Sequence, residues 1–221
     1  MSKEMRNRTI TSFFLIFLLI LMHFYSFILV ISLIVIAIIS WIEFYALISK
    51  IIIKNNINHK LLRFFFKTIS LLYLFSLVSL VFIIETNYLN LKIYLLYSIL
   101  IAIMSDMGGL VFGKIFKGRK LTKISPNKTI SGSVGSFIFS MLLIPIFHNE
   151  LLSQNLLSMF IITICVSLIS QLGDLFISFL KRKAKVKNTS DILPGHGGFL
   201  DRFDGLIGAS FFYGLVSIWV S

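Results

Sequence analysis

The run FILVISLIVIAIISWIEFYALISKIII, residues 27–53, decides the fold. It contains one acid, Glu43, and one base, Lys50. A stretch of about 20 apolar residues is enough to cross the hydrocarbon core as a helix. The run is continuous and shows none of the period-2 alternation of a membrane β-strand. Comparable runs occupy 10–25, 68–84, 91–116, 134–147, 156–180 and 199–220. The expectation is all-α: a polytopic transmembrane helix bundle of about seven spans, roughly six to nine, with no sheet. The first two runs adjoin, and their border is open.

Composition agrees. The chain is 57% hydrophobic and 14% charged, against roughly 25% charged in soluble domains. A secretory signal peptide is a poor reading of the first run, which passes into the second without a small-residue cleavage site. The single cysteine, Cys165, lies in an apolar run and reads as a packing residue. No repeat or Pro-rich linker divides the chain, so 1–221 reads as one integral membrane domain.

The net charge of +12 would suggest nucleic acid in a soluble protein. In a membrane protein, basic loops facing anionic headgroups account for it, and no nucleic-acid partner is expected. Of the 21 Lys and Arg, all but Lys92 fall in the N-terminal segment, the 50–67 region, the 114–128 region, or the 181–187 region with Arg202. Alternation over seven spans places these regions on one side, the cytoplasmic one. A chain rich in Lys, Ile and Asn points to a bacterial cytoplasmic membrane.

There are nine acids. Glu4, Glu85 and Glu150 fall at membrane edges or in loops, and Asp191 in the last basic loop. Glu43, Asp106, Asp174, Asp201 and Asp204 fall within or at the mouths of expected spans, where a carboxylate is paired, hydrated or metal-bound. Asp106 and Asp174 lie some ~10–12 Å below the cytoplasmic ends of their helices, at about 1.5 Å per residue. Asp201 and Asp204, at i and i+3, share a helix face. Carboxylates beneath Lys-rich and Gly-rich loops (117–132 and 183–198) suit a polyphosphate carried with Mg²⁺. In LPGHGGFLDRFD, 193–204, Gly195, Gly197 and Gly198 let backbone approach a phosphate, and His196 can donate to it or act as an acid. For Glu43 and Asp106 the competing reading is structural, a lysine-paired acid that fixes helix packing. GGLVFG, 108–113, reads as close helix packing, because no strand precedes it.

These residues resemble a known family. SFLKRKAKVKNTSDILPGHGGFLDRFD, 178–204, is similar to the long signature of the CDP-diacylglycerol synthases, or phosphatidate cytidylyltransferases. SDMGGLVFGKIFKGRKLTKISPNKTISG, 105–132, resembles a second block, and QLGDLFISFLKR, 171–182, the helix between them. The resemblance covers 105–221, the part carrying the catalytic motifs. Asn188 stands where the family usually has Asp, Ser131 for Glu or Gln, Ser136 for Gly, and Gly205 for Ser; the chain is also short for the family at its N-terminus. The resemblance implies that CTP and phosphatidic acid give CDP-diacylglycerol and pyrophosphate. It implies Asp174 and Asp201 as ligands of Mg²⁺, with Asp204 a further ligand, Asp106 in or beside that shell, and room for a second metal or a monovalent cation. Lys181, Arg182 and Arg202 are expected to clamp phosphates. Ser125, Lys128, Thr129 and Ser178 are expected on the substrates, and His196, Gly197 and Gly198 around the triphosphate. A homodimer is implied by the family alone. Two rivals stay open: a CTP-dependent lipid or polyprenol kinase, which releases CDP, and a cation-coupled transporter, which needs acids near mid-membrane.

Overall fold

The computed structural model describes residues 3–53, 56–87, 92–122, 125, 128–149, 151, 155–192, 197–201, 205 and 208. The helices are α1 (Lys3–Phe24), α2 (Ser26–Ile51), α3 (Ile57–Asn87), α4 (Lys92–Phe116), α5 (Ile130–Met141), α6 (Ile144–Phe147) and α7 (Leu156–Lys183). No strand occurs among the described residues; Lys120 and Thr129 form an isolated antiparallel bridge. Among the described residues, five stretches are long and apolar enough to cross a membrane: α2, α3, α4, the α5–α6 stretch Ile130–Phe147, and α7. The first expected span corresponds to α1, and most of the seventh, 199–220, lies outside the described residues. Large apolar side chains such as Phe13, Phe27, Phe75, Leu110 and Leu157 are more than half exposed. Exposed apolar area on that scale is the mark of a lipid-facing surface rather than a water-facing one.

Among the borders that differ from expectation, two have a local cause. The third helix begins at Ile57, where 68 was expected. Its first turns carry Lys60, Arg63 and Lys67, so hydropathy finds only its apolar part. The fifth begins at Ile130, where 134 was expected, because Thr129 caps it: its Oγ1 accepts from Gly132 N at 3.0 Å. A side-chain oxygen at this position satisfies one of the unpaired amides of a helix start.

The chain divides into two compact units, Met1–Ile83 with Leu180–Phe203, and Ile84–Phe179 with Asp204–Ser221. In the first, α2 buries Ile36, Ser40, Glu43 and Leu47, spaced as one helical stripe. On α3 the stripe is Leu74, Leu77 and Val81. Trp41 Nε1 donates to Lys67 O at 3.2 Å, and Lys67 Nζ lies 5.1 Å from the Trp41 ring centroid and 4.6 Å from that of Tyr45. An ammonium over two aromatic faces is held by their quadrupoles.

In the second unit, α4 and α5 pack backbone to backbone. A Cβ on Gly108 would lie 2.3 Å from Gly135 O, and one on Gly135 would lie 2.4 Å from Phe112 Cβ. Small residues allow this approach, and close packing is a main source of helix association in lipid. The packing reading of 108–113 therefore holds. Hydroxyls knit the helices further. Ser136 Oγ donates to Ser105 O at 2.7 Å, Ser105 Oγ and Ser167 Oγ lie 3.0 Å apart, and Tyr97 Oη and Thr163 Oγ1 lie 2.7 Å apart. Gly205 faces α7, where a Cβ would lie 2.5 Å from Ser170 Oγ, so the serine usual in the family would not fit beside Ser170.

Candidate active site

In the second unit a tight loop leads from α4 into α5. Lys117, at φ 42°, turns the chain out of α4. Leu121 N donates to Lys128 O at 2.8 Å and Ile130 N to Arg119 O at 2.9 Å, pairing the two ends of the loop. Lys128 N donates to Ser125 O at 3.1 Å, and Ser125 N to Thr122 Oγ1 at 3.2 Å. The loop thus delivers Lys128 to the residue before the α5 cap. There Lys128 Nζ pairs with Asp174 Oδ2, with the two side chains 26% and 31% exposed. Ser178, one turn further along α7, donates to Asp174 Oδ1 at 3.4 Å. One turn before Asp174, Gln171 Oε1 accepts from Ser133 Oγ at 2.5 Å. That bond ties the first turn of α5 to α7 and so fixes the distance Lys128 must bridge.

In the first unit, α7 ends in a Schellman-type turn: Val186 N donates back to Lys181 O at 3.0 Å, with Lys185 at φ 55°. Lys181 Nζ, in that last turn, meets Asp201 Oδ1 at 2.7 Å. Asp201 Oδ2 accepts from Thr189 N at 2.8 Å, Thr189 Oγ1 at 3.0 Å and Gly198 N at 3.2 Å. Gly197 has φ +84°, a conformation L side chains rarely adopt, and a Cβ there would lie 3.1 Å from Asp201 Oδ2. Gly198 is more constrained: its Cβ would lie 1.9 Å from Thr189 Oγ1 and 2.5 Å from Glu43 Oε2. Both glycines thus lie against carboxylates, and the Gly198 amide is committed to Asp201. Asn188 is exposed and donates to Asp191 Oδ1 at 3.4 Å, closing a turn.

Glu43 is the residue the sequence left as structural or unassigned. The residue is 2% exposed, and its carboxylate accepts four hydrogen bonds from neutral donors. Ser190 Oγ (2.5 Å) and Phe199 N (3.1 Å) bind Oε1; Thr189 Oγ1 and Leu200 N (both 2.8 Å) bind Oε2. The sequence signal was present in the lone acid of a long apolar run. Its partners, 146 to 157 residues away, were not.

Of the other expected residues, Asp106 is on the exposed side of α4 and Arg182 is exposed in the last turn of α7. His196, Arg202 and Asp204, with Gly195, lie outside the described residues. Two departures from the family have local uses. Ser131 Oγ accepts from Gly118 N at 3.3 Å, and Ser136 makes the buried bond to α4 already noted.

The donor chemistry bears on a metal. Among the described residues no group of three or more His, Cys, Asp or Glu could hold one; the expected third ligand, Asp204, is outside that set. Asp174 fits a hard divalent cation. It is about one-third exposed, its Oδ1 takes one long hydrogen bond, and a lysine ammonium occupies the cation position on Oδ2. Asp201 fits through Oδ1 alone, after Lys181 leaves it, because Oδ2 already accepts two backbone amides and lies within reach of the Thr189 hydroxyl.

These features define a class: a polytopic helical membrane protein in which two motif carboxylates, Asp174 and Asp201, are each paired with a motif lysine. The chain belongs to the cytidylyltransferase family, whose model matches residues 1–219. It is 41% identical over 147 residues to a phosphatidate cytidylyltransferase of Rickettsia typhi, covering 62% of this chain and 64% of that one. To that of Rickettsia felis it is 47% identical over 110 residues, 46% and 48% of the two chains. To that of Staphylococcus haemolyticus it is 41% identical over 117 residues, 52% and 45%. The matches thus span between 45% and 64% of these relatives' lengths.

Proposed function

We propose that this protein transfers the cytidylyl group of CTP to phosphatidate, giving CDP-diacylglycerol and pyrophosphate. Family membership and the names of the relatives support the reaction. The observation that carries it to particular residues is the pairing of Lys128 with Asp174 and of Lys181 with Asp201. In the reaction a phosphate oxygen of phosphatidate attacks the α-phosphorus of CTP in line. The bond from that phosphorus to the oxygen bridging to the β-phosphate breaks, and its electrons leave with pyrophosphate. The nucleophile is already anionic, so the protein's task is positioning and charge neutralisation. Lys128 and Lys181 are cations held on carboxylates, ready to exchange a carboxylate oxygen for a phosphate oxygen. Arg182, Ser125, Thr129 and Ser178 are assigned to substrate phosphates and headgroup. Asp174 is the foremost ligand for Mg²⁺, with Asp201 Oδ1 a second donor. When bound, the ion neutralises phosphoryl oxygens and steadies the leaving pyrophosphate. The basic loops face the cytoplasm of a bacterial cell, where CTP arrives from solution and phosphatidate from the bilayer.

The test is CTP turnover by the purified chain with phosphatidate in mixed micelles, with and without Mg²⁺, beside Asp201→Asn. Phosphatidate-dependent pyrophosphate and CDP-diacylglycerol, lost in the variant, are expected. CDP in place of pyrophosphate would transfer the assignment to a lipid kinase. Absence of any CTP turnover, with cation flux in sealed vesicles, would transfer it to a transporter.

A further inference from the structure

Glu43 is a fully engaged carboxylate that the proposed chemistry does not use. A buried carboxylate is costly unless hydrogen bonds or opposite charge replace its water. Here four neutral donors do so, from Thr189, Ser190, Phe199 and Leu200. Thr189 and Gly198 also supply Asp201 with two backbone amides, and the Thr189 hydroxyl lies within reach of both acids.

The two sets of bonds interleave. Thr189 holds Asp201 with its amide and reaches Glu43 with its hydroxyl, 2.8 Å in each case. Its single hydroxyl hydrogen serves one carboxylate at a time, so the amide is the firm bond to Asp201 and the hydroxyl is free for Glu43. The amide of Gly198 serves Asp201, and those of Phe199 and Leu200 serve Glu43. Gly198 leaves no room for a side chain between the two acids. Moving Glu43 therefore moves the donors that aim Asp201.

We infer that Glu43 is a positioning residue: from α2 it anchors Thr189, Ser190, Phe199 and Leu200 and thereby sets the orientation of the Asp201 carboxylate. The role in turnover rests on the cytidylyltransferase reading; the anchoring does not.

The experiment is Glu43→Gln in the full chain, purified in detergent, read two ways. The glutamine amide nitrogen must face one hydroxyl and one backbone amide; the hydroxyl can turn to accept from it, but the backbone bond, to Phe199 or Leu200, is lost. The first readout is tryptic cleavage at two exposed basic sites, Arg182–Lys187 next to the anchored segment and Lys114–Lys120 in the other unit. The second is kcat and KM for CTP. Cleavage at 182–187 is expected to rise at least about tenfold, with that at 114–120 unchanged, because proteolysis follows local opening. The kcat is expected to fall about a hundredfold with KM little changed, the scale on which a misplacement of about an ångström acts. Ser190→Ala, which removes one donor, is expected to give a smaller effect in the same direction and serves if Glu43→Gln fails to fold. Equal acceleration at both sites, or at neither, would overturn the anchoring. Selective cleavage with kcat unchanged would overturn the positioning role. A wild-type chain with no CTP turnover but selective cleavage in the variant would leave the anchoring standing and sink the cytidylyltransferase reading alone.

Discussion

Replacing Gly135 by alanine tests how far this protein depends on close contact between α4 and α5. The new Cβ would lie 2.4 Å from both Cβ and Cγ of Phe112 and 2.7 Å from Gly108 O. Ordinary contact begins near 3.4 Å, so about an ångström must be found. Backbone cannot yield it at Gly108. Phe112 is held by its ring contacts with Phe116 and Phe139, at centroid distances of 5.3 and 5.9 Å. The helices must separate or the ring must leave its stack, and overpacking on this scale costs about 1–3 kcal/mol. Gly113→Ala is the internal control, because its Cβ would meet only Thr129 Oγ1, at 3.2 Å, and Gly132 Cα, at 3.8 Å. The assay is thermal unfolding of the detergent-purified chain, the two variants beside wild type. Gly135→Ala is expected to melt well below Gly113→Ala, which stays close to wild type. Separation of α5 from α4 also moves the cap that carries Lys128, so CTP turnover should fall with it. Equal melting of Gly135→Ala and wild type would refute the packing argument. Equal losses from both variants would show that any added methyl is harmful and that the distances have no predictive value.

Two further outcomes are expected. Tyr97→Phe should cost only about 1 kcal/mol in thermal unfolding. Thr163 Oγ1 already donates to Met159 O at 2.6 Å, so the variant orphans no donor on Thr163; a loss above about 3 kcal/mol, outside the range for one neutral hydrogen bond, would contradict this. Asn188→Asp, which restores the family's usual residue, should not raise CTP turnover, because it replaces an amide donor to Asp191 with a second carboxylate; a severalfold gain would show that the lost charge mattered.

The helices were legible because lipid demands continuous apolar runs, and such runs survive in the sequence without ambiguity. The borders were less so, since the start of α3 is basic and the start of α5 is set by one threonine hydroxyl. At the site, Asp174, Lys128, Lys181 and Asp201 stood out as candidates from motif and charge, but their pairing did not. A lysine can reach several acids, and only the loop bonds at Leu121, Lys128 and Ile130 decide that Lys128 meets Asp174. The glycines illustrate a different limit. Their need for space was evident at 197 and 198, yet the occupants of that space are side chains of Asp201, Thr189 and Glu43. Sequence shows that a side chain is missing and does not show what stands in its place.

Lys67 and Trp41 have a use in optical spectroscopy. The chain has two tryptophans, Trp41 and Trp219. The indole of Trp41 is bound at its N–H by a carbonyl of α3 and covered on its face by the ammonium of the same residue. Indole emission responds to a nearby charge and to hydrogen bonding at nitrogen. With Trp219 changed to phenylalanine, intrinsic fluorescence becomes a single-site gauge of contact between α2 and α3. Because α2 also carries Glu43, that gauge would follow, without any added label, the helix from which the Asp201 segment is held.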